Sequence, residues 1–107
     1  MTTTPAQAVA ASSDAAGLHA TAAALLLELQ TQLGALAATA TFATERGRRP
    51  FRPPADWGAR LGELAYGVYL LADQTGVDVE AELHATANAL LRRAQHLAPE
   101  PGWPVGS

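Results

Sequence analysis

The side chains of this 107-residue chain that could do chemistry are mostly arginines in one short segment. The segment ERGRRPFRPP surrounds Phe51 with Arg46, Arg48, Arg49 and Arg52, which are four of the seven Lys and Arg residues in the chain. A guanidinium group matches the geometry of a phosphate, and an aromatic ring can stack on a base. We therefore treat Arg48, Arg49 and Arg52 as candidate phosphate-binding residues. The alternative is a proline-stiffened, solvated loop without a ligand.

The side chains that could bind a metal ion form no recognisable motif in the sequence. The chain has no Cys, so His, Asp and Glu are its potential ligands. Its three histidines, His19, His84 and His96, lack the i, i+4 spacing of a helical metal motif. The sequence also contains no Gly-rich phosphate loop and no nucleophile elbow. A formal net charge of −3 gives no basic field, which makes nucleic acid an unexpected partner.

Helices are the elements that must position these side chains. Ala and Leu dominate the sequence, and β-branched and aromatic residues are few, so the composition favours helix over sheet. Capping residues and Gly/Pro breaks predict one all-α domain over residues 15–97, with helices over about 15–45, 57–75 and 79–97. In this prediction residues 1–14 form a flexible N-terminal segment, and residues 98–107 form a Pro/Gly-rich tail.

The predicted helix boundaries depend on side chains that can cap a helix. The predicted caps are Ser13 or Asp14 for the first helix, Asp56 for the second and Asp78 for the third. Gly76 is placed to end the second helix, so the second and third helices should form a tight hairpin. Thr4 and Pro5 could begin a short helical turn ahead of the domain, and Trp103 in the tail could contact a neighbouring surface.

Each predicted helix carries an apolar stripe with steps of three and four residues. The stripes consist of Leu18, Ala22, Leu25, Leu29, Leu33 and Leu36 in the first helix, Leu61, Leu64, Val68, Leu71 and Ala72 in the second, and Val79, Leu83, Ala87, Leu90, Ala94 and Leu97 in the third. We expect the third stripe to face inward, and Trp57, Tyr66 and Tyr69 to be packing or interface anchors rather than a base-stacking set. Three such stripes predict an open helical sheet or half-bundle, and an antiparallel dimer would bury the faces that one copy leaves exposed.

The segment YLLADQTGVDVEAEL, residues 69–83, resembles the helical hairpin of the MazG-like all-α nucleoside triphosphate pyrophosphohydrolases. Its Leu-Leu-Ala-Asp run and Gly-Val-Asp turn match the pattern of that hairpin, and the upstream segment LQTQLGALAAT is similar to an earlier helix of the family. The resemblance covers roughly residues 18–95. It implies an antiparallel helical bundle completed by oligomerisation, with Mg²⁺-dependent cleavage of a nucleoside triphosphate to monophosphate and pyrophosphate.

Carried over residue by residue, the resemblance implies a degenerate metal centre. The acidic positions of the family's two metal-binding motifs fall on Thr31, Gln32, Ala35, Arg60 and Glu63. The Lys and Asn that the family's third helix directs towards substrate fall on Thr86 and Leu90. Glu63 alone keeps a carboxylate, and a shift of register would add Glu28 from the first helix. Glu63 and Glu28 are therefore the candidate metal ligands.

The position of Glu63 on its helix bears on this role. At ~100° per residue, Glu63 lies about 120° from the centre of the predicted stripe, on the flank beside Gly67 and Leu70. It should therefore face a second groove or solvent. The alternative to a metal ligand is a flank carboxylate that pairs with Arg60 or another cation.

The degenerate motifs favour a MazG-like protein that has lost pyrophosphohydrolase activity and acts as an oligomeric binding or regulatory module. The alternatives are an active pyrophosphohydrolase with a rearranged site and a structural subunit that docks on a larger assembly. No cofactor is expected unless the active alternative holds, which would require Mg²⁺. We expect a homodimer or higher homo-oligomer that binds a nucleotide or another protein. The sequence shows no signal-peptide pattern and no bilayer-length apolar run, which predicts a cytoplasmic protein without a membrane partner.

Overall fold

The computed structural model describes residues 2–18 and 20–97, and over these ranges the chain is all-α. The helices are α1 (Pro5–Ala16), α2 (Ala22–Ala43), α3 (Trp57–Thr75) and α4 (Val79–His96). The sequence predicts helices over 57–75 and 79–97, and α3 and α4 occupy those positions. His19 and the predicted tail at 98–107, including Trp103, lie outside the described residues. Within the part of the chain that the structure describes, no helix combines the length and apolar character needed to cross a bilayer.

The N-terminal segment 1–14, predicted to be flexible, contains most of helix α1. A capping box begins this helix: the Thr4 hydroxyl accepts the Gln7 N–H at 3.1 Å, and the Gln7 side chain accepts the Thr4 N–H at 3.0 Å. Pro5 occupies the first helical position, where its missing N–H costs nothing. The predicted helical turn at Thr4 and Pro5 therefore extends over three turns, because its apolar Val9 is buried against α3.

The predicted first helix over 15–45 is interrupted between α1 and α2. Gly17 adopts a left-handed conformation (φ 68°), and the Leu18 N–H donates to the Ser13 carbonyl at 2.9 Å, which ends α1. The Thr21 hydroxyl then accepts the Ala24 N–H at 3.1 Å and caps α2. The prediction that Ser13 or Asp14 caps this helix is wrong, because both residues lie inside α1 and Ser13 is only 2% exposed.

The turn between α3 and α4 follows the predicted chemistry. Gly76 is left-handed (φ 72°), and the Val77 N–H donates to the Ala72 carbonyl at 2.9 Å, closing the end of α3. The Asp78 carboxylate accepts the Ala81 N–H at 3.0 Å and caps α4. At the start of α3, in contrast, Asp56 occupies the N-cap position without a side-chain cap hydrogen bond.

The chain divides between Val77 and Asp78 into two compact units. In the first unit, α3 packs against both α1 and α2. Val9, Leu25 and Leu70, one from each helix, form the buried core, and Tyr66 and Tyr69 pack against it. The tyrosines therefore serve in packing, as the sequence predicts. This core is small, so the stability of the unit depends on few side chains.

The buried face of α3 coincides only in part with the predicted stripe. Within that stripe, Ala72 is 8% exposed and Leu71 packs against the core, but Leu61 and Val68 are 44% and 40% exposed. Leu70, which lies outside the stripe, is 6% exposed. The reason is that α1 and α2 lie on the side of α3 that carries Leu70 and Tyr66. The apolar stripe predicted for the first helix is buried only in part, since Leu25 and Leu36 are buried while Leu33 is 58% exposed.

In the second unit, the predicted inward stripe of α4 is exposed. No residue of α4 is buried, and Leu83, Leu90 and Leu97 are 61%, 59% and 66% exposed. The prediction that this face points inward is therefore wrong for the described residues. The physical reason is that α4 is the only described helix of its unit, so the described part of the unit offers this stripe no second apolar surface.

Candidate functional site

The first unit contains an open groove between α2 and α3 with a volume of about 570 Å³. Gln32 of α2 lines one side, and Ala59, Gly62, Glu63 and Tyr66 of α3 line the other. The groove exists because Ala59 and Gly62 leave space beside the longer side chains. The feature of the sequence that corresponds to this groove is therefore the pair of small residues on α3. Acidic motifs do not indicate it.

The two helices approach each other closely at Gly67. A Cβ atom built at Gly67 would lie 2.6 Å from the Leu29 Cδ2 atom and 3.6 Å from the Gln32 Oε1 atom. The Leu29 side chain thus occupies the space that a side chain at Gly67 would need. This contact, together with Gln32 lining the groove beside Glu63, shows that α2 and α3 run in opposite directions. Gly67 therefore sets the spacing that brings Gln32 beside Glu63.

Glu63 lines this groove, on the flank of α3 that faces α2 rather than on the predicted stripe. Its carboxylate forms no ion pair with any residue that the structure describes. The alternative in which Arg60 pairs with Glu63 is not what the structure contains, since the Arg60 Nε atom donates to the Asp56 carboxylate at 2.8 Å. This hydrogen bond lowers the pKa of the Asp56 carboxyl below its ordinary value.

Gln32 is the groove residue with the least satisfied side chain. Its Oε1 atom is buried and has no hydrogen-bond partner among the described residues. A buried amide acceptor without a partner costs about 1–3 kcal/mol. Because this oxygen is inaccessible, it cannot coordinate a ligand in the groove unless the Gln32 side chain moves. The structure thus brings Gln32 and Glu63 together, although only Glu63 presents an accessible oxygen.

The donor set in the groove does not fit Mg²⁺. Glu28 is exposed on α2 and is not among the side chains that line the groove. Over the described ranges, no group of three or more His, Cys, Asp or Glu side chains could hold a metal ion. Mg²⁺ prefers near-octahedral oxygen coordination, and a pyrophosphohydrolase site must also neutralise a triphosphate. One carboxylate beside a buried amide oxygen does not meet that requirement.

The arginine segment follows α2 in a tight turn that uses its own backbone donors. Glu45, Arg46 and Gly47 have φ values of 48°, 61° and 87°. The Arg46 N–H donates to the Thr41 carbonyl at 2.9 Å, and the Gly47 N–H donates to the Thr44 hydroxyl at 3.1 Å. These backbone N–H groups are therefore occupied. An anion in this region would depend on the arginine side chains.

The structure brings two of the three candidate arginines together. Arg49 and Arg52 line a pocket of about 300 Å³ with Ala43 and Pro50, whereas Arg48 does not line it. The Arg49 Nε atom lies 3.3 Å from a Glu45 carboxylate oxygen, so a phosphate would compete with this exposed ion pair. Arg52 takes part in no ion pair with a described residue. The pocket thus offers one unpaired and one exchangeable guanidinium group.

The aromatic residue of this segment is engaged within the protein. Phe51 contacts Trp57 at the start of α3, with ring centroids 4.9 Å apart and an angle of 63° between the ring planes. This edge-to-face contact is a favourable aromatic arrangement. It anchors the arginine segment to α3, and it means that base stacking on Phe51 would have to preserve or replace the Trp57 contact.

Tyr66 connects the groove to α1, a link that sequence analysis did not detect. Its hydroxyl lies 2.8 Å from the Ser12 hydroxyl in a hydrogen bond. We expect Tyr66→Phe to lower the free energy of unfolding by about 0.5–1.5 kcal/mol, near the lower limit because the bond is exposed. Chemical denaturation monitored by circular dichroism measures this change.

The matched control is Tyr69→Phe, which removes a hydroxyl from the same core while keeping the bond to Ser12. We expect its effect to stay within about 0.5 kcal/mol. Equal losses in the two variants would contradict a specific role for the hydrogen bond between Ser12 and Tyr66.

Over residues 2–18 and 20–97, the fold and groove define an all-α protein in which three helices surround a small core and a fourth helix belongs to a separate unit. Comparisons with protein-family models, curated proteins and solved structures find no match to this chain. The resemblance of residues 69–83 to the MazG-like hairpin therefore stays a prediction from the sequence.

Proposed function

We propose that this chain is a MazG-like helical module that has lost Mg²⁺-dependent nucleotide pyrophosphohydrolase activity and acts as an oligomeric binding or regulatory module in the cytoplasm. The observation that carries the proposal is the donor set of the groove between α2 and α3, where Glu63 is the only carboxylate among the described residues that line it. The Gly76–Val77–Asp78 turn supports the MazG-like part, because it ends one helix and caps the next as the family's hairpin requires.

The loss of activity follows from the charge at the positions that the family uses for metal ligands. Glu63 keeps its carboxylate, but Gln32 places a neutral amide beside it. Arg60 stands at the position of the same helix where the family has its second acidic residue. It carries a positive charge and forms an ion pair with Asp56. A divalent cation would meet one negative charge where several are needed, so its affinity should be weak.

The binding role is supported by apolar side chains that the first unit leaves exposed. Leu26 and Leu33 on α2 are 55% and 58% exposed, and Leu61 and Val68 on α3 are 44% and 40% exposed. Apolar surface of this kind is typical of a protein-interaction site when it is contiguous. For this surface of α2 and α3, the partner that the proposal favours is another protein.

Hydrolysis of nucleoside triphosphates tests the loss of activity. Purified protein is incubated with each ribonucleoside triphosphate and millimolar Mg²⁺ or Mn²⁺, and monophosphate release is measured by chromatography. We expect the unchanged protein to release no more monophosphate in the presence of metal than the Glu63→Gln variant does. Metal-dependent hydrolysis that disappears in Glu63→Gln and persists in Asp14→Asn, a control at an exposed carboxylate of α1, would establish an active enzyme instead.

The ligand that the proposal favours carries a phosphate group, because Arg49 and Arg52 line the same pocket. Calorimetric titration with inorganic pyrophosphate measures this binding. We expect binding that is weakened by Arg52→Ala and unaffected by Arg48→Ala, since Arg48 does not line the pocket. Equal affinity in both variants would show that pyrophosphate does not use this pocket.

A further inference from the structure

Helix α4 carries an apolar stripe with a coiled-coil repeat, and no other described residue of its unit covers that stripe. Leu83, Ala87, Leu90, Ala94 and Leu97 are separated by four, three, four and three residues, which is the spacing of heptad positions a and d. Every residue of α4 from Ala81 onwards is exposed. Helices in proteins owe most of their stability to the packing of an apolar face, so we expect the stripe of α4 to have an apolar partner.

The sizes of the side chains in this stripe select the direction of a partner helix. The stripe has Leu at one heptad position and Ala at the other. In a parallel pair, Ala87 would meet the partner's Ala87 and leave a gap between the helices. In an antiparallel pair, each Ala meets a Leu, so that Ala87 lies opposite the partner's Leu90. This alternation of large and small side chains fills the interface evenly.

The charges of α4 select the same direction. Glu80 and Glu82 lie in the first turn, whereas Arg93 and His96 lie in the last turn, with Arg92 beside them. An antiparallel pair places the acidic end of one helix beside the basic end of the other, while a parallel pair places like charges together. The helix dipoles also oppose each other in the antiparallel arrangement, which is favourable.

We propose that α4 is the docking surface for a second copy of this chain, and that two α4 helices pair antiparallel through the stripe of Leu83, Ala87, Leu90 and Ala94. The register centred between Asn88 and Ala89 pairs each Ala87 with the partner's Leu90 and overlaps the two helices over nearly their full length of about 27 Å. This inference specifies which surface forms the oligomer, and it rests on the proposed function, which states that the chain is oligomeric.

Sedimentation equilibrium of the full chain over a range of concentrations tests the docking surface. We expect a dimer whose dissociation constant rises by about tenfold or more in the double variant Leu83→Ser with Leu90→Ser. Leu27→Ser, at a 65% exposed leucine of α2, is the matched control and should leave the dimer intact. A monomer at all concentrations would overturn both this inference and the oligomeric part of the proposed function.

A dimer that the two α4 substitutions leave unchanged would overturn this inference alone, because oligomerisation would then use another surface. Charge reversal tests the orientation without removing apolar area. Changing Glu80 and Glu82 to Arg should weaken the dimer, and adding Arg92→Glu and Arg93→Glu should restore it. Failure of the fourfold variant to restore the dimer would overturn the antiparallel arrangement.

Discussion

Replacing Leu70 with Ala should lower the free energy of unfolding of the first unit by about 2–5 kcal/mol, the range for deletion of a buried leucine side chain. Leu70 is 6% exposed and forms the core with Val9 and Leu25. Because each of these residues comes from a different helix, a cavity at Leu70 weakens the contacts of α3 with both α1 and α2. Domains of this size have total stabilities of about 5–15 kcal/mol, so this variant should lose a large share.

The matched control for this prediction is Leu27→Ala, because Leu27 is a helical leucine that is 65% exposed. We expect its stability to stay within about 0.5 kcal/mol of the unchanged protein. Thermal unfolding followed by circular dichroism measures both variants, with a shift of about 4–8 °C for each kcal/mol in a domain of this length. Similar losses at Leu70 and Leu27 would contradict the core as described.

Replacing Gly67 with Ala should make the protein less stable than replacing Gly62 with Ala by up to about 1 kcal/mol, the lower end of the usual cost of overpacking, because the nearest atom is at the end of the flexible Leu29 side chain. The new methyl group at position 67 would lie 2.6 Å from the Leu29 Cδ2 atom, so Leu29 or the backbone of α2 must shift. The same change at Gly62 meets no atom within 4 Å. Both substitutions gain helix propensity of about 1 kcal/mol, so their difference isolates the cost of the contact.

Urea denaturation of the two variants measures this difference. Gly62→Ala should be more stable than the unchanged protein, since it adds helix propensity without a contact. Gly67→Ala should also change the environment of Gln32, whose Oε1 atom lies 3.6 Å from the position of the added methyl group. Equal stabilities would mean that Leu29 accommodates the methyl group without cost and that Gly67 does not set the helix spacing.

The existence of α3 and α4 could be predicted from the sequence because the signals are local. The apolar spacing of three and four residues, the left-handed glycine at 76 and the capping carboxylate of Asp78 act within one or two helical turns. Helix α1 was harder to predict, because its first turn depends on a capping box but its persistence depends on burying Val9 against α3. That contact joins residues far apart in sequence.

The buried face of α3 could not be predicted from periodicity alone. Leu61 and Val68 form one apolar row, while Tyr66 and Leu70 form another, and both rows have helical spacing. The second row is buried because α1 and α2 both pack there, with a close approach at Gly67. The exposed stripe of α4 has a similar origin, since a local pattern describes a face without identifying what covers it.

Some features of the candidate site likewise follow from the sequence, and others depend on the tertiary structure. The sequence by itself determined that Glu63 stands on a flank of its helix, that four arginines cluster near Phe51, and that no cysteine is present. Only the tertiary structure placed Glu63 beside Gln32, left Glu28 outside the groove and joined Arg60 to Asp56. The physical reason is that helix geometry fixes angles within one helix, whereas the contacts between helices depend on which side chains are small enough to let them approach.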